Sequence, residues 1–151
     1  MKLSRKCEYA LTIVLDLSNY YELGREHSRV IAQRRNIPRK YIERILLQLI
    51  KGGIVQSKKG PKGGYRLTRP PDKIMMGEVI RLMDPPLFPA PDKTLKNLVD
   101  EDLVDRIGFF GVFEEVAAAI AEVIDHISFA DIRKREASAL AKENKSYTYH
   151  I

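Results

Sequence analysis

Residues 39–44 read Arg39-Lys40-Tyr41-Ile42-Glu43-Arg44, three cations and one carboxylate within six positions. An arginine fork fits the acceptor edge of guanine, and a carboxylate accepts from the amino group of cytosine. Residues 58–63, Lys58-Lys59-Gly60-Pro61-Lys62-Gly63, set three ammonium groups beside glycines, so the backbone there can approach a phosphate or a minor groove closely. Taken alone, that stretch also reads as a solvated hairpin with lysines for solubility. Ser28 adds a hydroxyl at the start of a helix and is grouped with these candidate base- and phosphate-contacting residues, while Tyr41 either packs or bonds a phosphate.

Cys7 is the only cysteine. It excludes a disulfide framework within one chain and a zinc or iron–sulfur site built from several cysteines of one chain. A helix N-terminus together with Arg5 and Lys6 predicts a lowered thiol pKa, which makes Cys7 a candidate redox sensor. The competing reading is a small, buried, inert residue. His27, His126 and His150 stand apart in sequence; His126 is a candidate ligand or pH-sensitive contact, or a plain helix-end histidine. No Ser/His/Asp or Cys/His constellation and no phosphate-binding glycine loop is apparent, so no enzyme is expected.

These groups need rigid elements to carry them. The chain has 151 residues, enough for one ordinary domain, and 44% of them are hydrophobic. No apolar run approaches membrane-spanning length, and MKLSRKCEYA has no secretory h-region, so a cytoplasmic protein is expected. Charge is divided. Residues 1–69 carry 16 Lys/Arg and 5 Asp/Glu, whereas residues 70–151 carry 10 and 15. A basic half suits a polyanion, with nucleic acid the commonest, or is simply a solvated face.

Ser4 is the N-cap of a helix from about residue 5, whose apolar face includes Tyr9, Ala10, Ile13, Val14 and Leu17; Gly24 is its stop. Ser28 caps a short second helix ending near Arg35. Pro38 belongs in the first turn of a third, whose apolar face is Tyr41, Ile42, Ile45, Leu46, Leu49 and Ile50. Arg39, Lys40, Glu43 and Arg44 lie off that face. Two strand-like runs, 54–57 and 64–68, flank the lysine-rich turn and predict a β-hairpin. A short helix at 77–83 follows, then a proline-rich loop at 84–92 and a short irregular helix at 93–106. Residues 107–127 show a wide apolar stripe with Phe109, Phe113, Val116, Ile120 and Ile124, which fits a dimer helix or a helix buried in one chain. Ser128 and Asp131 form a capping box for a last short helix, and the tail after 137 is expected to fray.

Helix, short helix, tight turn, amphipathic helix and basic hairpin, in that order, predict a winged helix–turn–helix. The expected organisation is a mainly α chain with a small β wing. Residues 1–83 form the DNA-binding domain, 84–106 a loop or sensor region, 107–137 the dimerisation helix and closing helix, and 138–151 a polar tail. The alternative is a protein-interaction module or metabolic enzyme whose basic half binds a polyanion other than DNA.

The chain resembles the Rrf-two group of bacterial winged-helix repressors. The resemblance rests on MKLSRKCEYAL, on 31–37, on Tyr41-Ile42-Glu43-Arg44-Ile45-Leu46, on Lys59-Gly60-Pro61-Lys62-Gly63-Gly64-Tyr65-Arg66-Leu67, on Pro70-Pro71 with Gly77-Glu78-Val79-Ile80, and on 127–132. It implies a homodimer joined through the 107–127 helix, acting as a repressor on double-stranded DNA at a palindromic operator. It further implies regulation by a signal such as a small molecule, a thiol modification or a partner enzyme. Cluster-binding members of the group carry three cysteines before the dimer helix. Residues 84–108 here hold neither Cys nor His, so no iron–sulfur cluster or other cofactor is expected, and Glu8 loses support as a ligand. The acidic residues Asp92, Asp100, Glu101, Asp102 and Asp105 are read as solvated surface, with no metal site expected.

Overall fold

Ser4 starts the first helix as its sequence predicts: the backbone is extended there and the hydroxyl accepts from the Cys7 N–H at 3.1 Å. In the computed structural model, which describes residues 2–84 and 102–148, helix α1 runs Arg5–Asn19 and buries Ala10, Ile13, Val14 and Leu17. It ends before Gly24. A 3-10 turn at Tyr21–Leu23 intervenes, and Gly24 turns the chain with φ +113°.

Helix α2 spans Ser28–Arg34 and α3 spans Arg39–Lys51. His27, not Ser28, occupies the cap of α2 and provides no side-chain bond; Ser28 is the first helical residue, and its hydroxyl bonds Glu43. Asn36, at φ 52°, makes the tight turn, and the Ile37 N–H closes it onto Ala32. Pro38 is the N-cap of α3 rather than a first-turn residue; its ψ of 132° is extended. Ile42, Ile45, Leu46 and Leu49 form the buried face of α3, whereas Tyr41 is exposed and does not join it.

Strands β1 (Val55–Lys58) and β2 (Gly64–Leu67) pair antiparallel, with Val55 opposite Leu67 and Lys58 opposite Gly64. Ile54 and Thr68 fall just outside the strands but continue the ladder through a 3.0 Å bond. Gly64 has φ +114°, and a Cβ there would stand 2.7 Å from the Glu26 carbonyl. That closeness lets Glu26 and Tyr65 exchange backbone bonds of 2.9 and 2.8 Å, so the segment before α2 is laid along the hairpin.

Helix α4 (Met76–Met83), α5 (Asp102–Ile124) and α6 (Phe129–Thr148) complete the described chain. Most of the expected 84–106 loop and sensor region lies outside the described residues, but 102–106 already belong to α5 and not to a separate short helix. The expected frayed tail is helical through Thr148, so the last helix is long. Its start matches expectation: Ser128 Oγ accepts from the Asp131 N–H at 3.2 Å, and Asp131 accepts from the Ser128 N–H at 3.1 Å. The α5–α6 corner is stitched to the chain before α4 by Met76 N–H to Ile127 and Phe129 N–H to Ile74.

One buried cluster joins Ile13, Ile31, Leu46, Leu67, Ile74, Val79 and Phe129. Each such side chain contributes about 1.5–3 kcal/mol on burial. The helix–turn–helix, the hairpin base, α4 and the start of α6 therefore share a core. No helix among the described residues is long and apolar enough to cross a membrane.

Candidate nucleic-acid interface

Burying Ile42, Ile45 and Leu46 turns the opposite side of α3 outward. Arg39, Lys40, Glu43 and Arg44 are all exposed there, within the first two turns. Tyr41 is exposed beside them; its ring lies 5.8 Å from that of Tyr9, and the Lys40 ammonium lies 5.0 Å from its centre. Tyr41 is thus held by aromatic and cation–π contacts on the cationic side.

The structure brings Ser28 and Glu43 together. The Ser28 hydroxyl donates to one Glu43 carboxylate oxygen at 2.5 Å, and the Tyr65 hydroxyl donates to the other at 3.0 Å. Each oxygen takes one protein donor, so Glu43 ties α2, α3 and β2 together, and the exposed carboxylate keeps acceptor capacity beyond those two bonds. Tyr65 was not among the expected site residues. Only its place in the wing pattern could have signalled it, because its partner lies 22 residues away. Burial, then the Glu43 carboxylate, pushes the Tyr65 phenol above its ordinary pKa of 10.0, so it remains a donor at neutral pH.

Lys58, Lys59, Gly60, Pro61 and Lys62 are exposed at the hairpin tip. Gly63 differs: it is buried, and its N–H closes the turn onto Gly60 at 2.9 Å. A Cβ on Gly63 would collide with the Lys58 carbonyl, so this glycine shapes the tip rather than offering surface. Between the wing and the start of α2 runs a polar cleft lined by His27, Ser28, Ser57, Lys58, Lys59 and Tyr65. Hydroxyls on both walls, with lysines on the wing side, suit a sugar–phosphate backbone.

Not every cation of the basic half belongs to this surface. Arg34 and Arg35, a few residues before Arg39, instead pair with Asp16 on α1. Asp16 is wholly buried.

Along α5, Phe109 is 66% exposed and Val116 40%, and Phe113 is exposed too, while Ile120 and Ile124 are half-buried. Val112 and Val123 are also exposed and were not among the expected residues. An apolar helix face of this kind, on a single chain, marks an interaction surface.

Cys7 is buried, and its thiol is pushed up to about 11 by burial and then by the Asp84 carboxylate. The lowering expected from the helix N-terminus and neighbouring cations is outweighed. Asp84 itself accepts from the Ser4 N–H at 2.8 Å and from the Ser4 hydroxyl, which pins the end of α4 to the start of α1.

A short cationic helix presented beside a cationic hairpin, both on a three-helix core, defines a winged helix–turn–helix DNA-binding protein. The chain belongs to the Rrf2 family, described as iron-dependent transcriptional regulator, whose model matches residues 3–135. It is 31% identical over 151 residues to the HTH-type transcriptional regulator CymR of Bacillus subtilis, covering 100% of both chains. It is 30% identical over 149 residues to the HTH-type transcriptional regulator IscR of Enterobacter sp., covering 91% of this chain and 88% of that one. Among solved structures, CymR, the global cysteine regulator of B. subtilis, is similar with TM-score 0.71 and 30% identity over 89% of this chain and 98% of that one. IscR of T. potens is similar with TM-score 0.74 and 30% identity over 92% and 90%. The protein is a DNA-binding transcriptional regulator.

The family description raises the question of iron. The residues present do not fit an iron–sulfur cluster. The one thiol of the chain is buried and held protonated, and residues 84–108 supply neither Cys nor His. Among the described residues no three His, Cys, Asp or Glu side chains are grouped to hold a metal ion.

Proposed function

We propose that the protein is a cytoplasmic homodimeric repressor that reads a palindromic operator. Arg39, Lys40, Glu43 and Arg44 on α3 set sequence preference in the major groove, with Tyr41 beside them. Lys58, Lys59 and Lys62 anchor each half-site through phosphate or minor-groove contacts. Residues 1–83 act as the DNA-binding unit. The α5 face bearing Phe109, Phe113, Val116, Ile120 and Ile124 joins two copies, so that two recognition helices meet two half-sites. The signal that sets operator affinity is of a kind that needs no cluster, a small molecule or a partner enzyme. A metabolic enzyme with a polyanion-binding half is disfavoured, since the relatives are transcriptional regulators.

The observation that carries this reading is the exposed Arg39/Lys40/Arg44 side of α3, fixed to the lysine-bearing wing by the Ser28–Glu43–Tyr65 bonds. Titration against genomic fragments, followed by footprinting of the retained ones, tests it. Protected half-sites of two-fold symmetry, roughly one helical turn or a multiple apart, are expected. Uniform binding to all fragments with no footprint would overturn it.

A further inference from the structure

Arg34 and Arg35 are conspicuous in the basic half, yet they take no part in the cationic side of α3. Their guanidinium groups converge on Asp16. Arg34 donates Nε at 3.0 Å and Nη2 at 2.7 Å; Arg35 donates Nε at 2.7 Å. Each arginine also holds a second carboxylate. Arg34 pairs with Glu26 at 3.0 Å, and Arg35 with Glu136 of α6 at 2.7 Å. Glu136 further accepts from Asn19 at 2.9 Å, and Arg133, one turn earlier on α6, donates to the Ser18 carbonyl at 3.0 Å. The last turn of α2 is therefore gripped by α1 from one side and α6 from the other.

A buried carboxylate between two guanidinium groups contributes little net stability over a well-packed apolar core. What it supplies is fixed geometry, because each planar fork has few productive orientations. The members differ in their access to water. Asp16 has no exposure, whereas Arg35 and Glu136 retain 20% and 28% side-chain exposure. The Arg35–Glu136 pair can open into solvent while Asp16 keeps both arginines. From α2 the chain of bonds continues through Ser28 to Glu43 and Tyr65, and so to α3 and the wing. At its other end, α6 follows α5 through the Ser128–Asp131 corner.

We propose that Asp16 and Glu136 are positioning residues for DNA recognition, and that the Arg35–Glu136 ion pair is the latch through which the seating of α6 sets the placement of α2. This rests on the DNA-reading role proposed above. It gives any signal that displaces α5 and α6 a physical route to the DNA-binding face.

Two variants of the full chain test it. Glu136→Gln removes the charge from the α6 side. Arg35→Lys keeps a cation near Asp16 but lacks the fork that spans both carboxylates. The probes are an operator duplex recovered from genomic fragments and a random duplex of equal length. Each variant is expected to lose about tenfold in preference for the operator, with dimer content and the salt dependence of random-duplex binding unchanged. Without DNA, amides of residues 29–35 should exchange with deuterium several-fold faster, and those of α3 at the wild-type rate.

Unchanged operator preference in both variants overturns the proposal, as does equal loss on the two duplexes or unchanged exchange in α2. If Glu136→Gln fails to fold, Arg35→Lys decides alone. A wild-type protein without operator preference would count against the DNA-reading role, and the exchange measurement would still decide the latch.

Discussion

Tyr65 of the wing donates its hydroxyl proton to Glu43 of α3 across 3.0 Å. The same carboxylate accepts from Ser28 of α2, so one acidic side chain binds all three parts of the cationic surface to each other. The wing is therefore held relative to the recognition helix before DNA arrives, which lowers the ordering cost of binding.

Tyr65→Phe removes that bond and little else. A single hydrogen bond contributes about 0.5–1.5 kcal/mol. Operator affinity should fall by roughly two- to tenfold if that amount is expressed in DNA binding. The salt dependence should stay as in the wild type, because no cation is lost. Fluorescence anisotropy at several salt concentrations measures both.

Cys7 should be unreactive in the folded protein. Its thiol sits at about 11 instead of 9.0, through burial first and the Asp84 carboxylate second. Iodoacetamide at pH 8 should label it slowly in buffer and rapidly in urea, followed by mass spectrometry. The folded pKa is raised, so the associated stability is complete below 9.0 and is lost as pH rises through about 11. Replacement by Ala should flatten that alkaline limb.

The legible features were those encoded locally. Ser4 before a period-3.6 apolar pattern specified the start of α1, and the Ser128–Asp131 spacing specified the start of α6. Glycines, proline and lysines between two short β-type runs specified the hairpin. The Asp16 network was not legible, because its bonded partners lie 8 to 117 residues apart and an arginine pair in a sequence looks the same in solvent or in a buried ion pair. The length of α6 was hidden for another reason. From 137 to 143 the helix is exposed all round, so it shows no apolar period to read. The bonds of Glu43 to Ser28 and Tyr65 were not legible either, because both donors come from other elements.

Acid should loosen the grip of α6 on α2. The Arg35 guanidinium holds the Glu136 carboxyl below its ordinary value of 4.5. A lowered folded pKa means that the linked stability is present above 4.5 and is lost as pH falls through the folded value. Urea unfolding across the acid range should show a shallower loss in Glu136→Gln than in the wild type.

Val116→Glu should separate the two copies. It places a charge on the exposed apolar face of α5, where burial against a partner would leave it unpaired. Light scattering at micromolar concentration should show a dimer for the wild type and monomer for the variant. The circular dichroism of the variant should remain helical, because Val116 is not part of the buried core.

The most direct test of DNA reading compares Arg44→Ala on α3 with Lys59→Ala on the wing, each titrated against an operator duplex and a random duplex. Arg44→Ala should weaken operator binding by about 1–3 kcal/mol and random binding much less. Lys59→Ala should weaken both alike and reduce the salt slope by about one phosphate contact. Equal losses on the two duplexes for Arg44→Ala would contradict the assignment of sequence reading to α3.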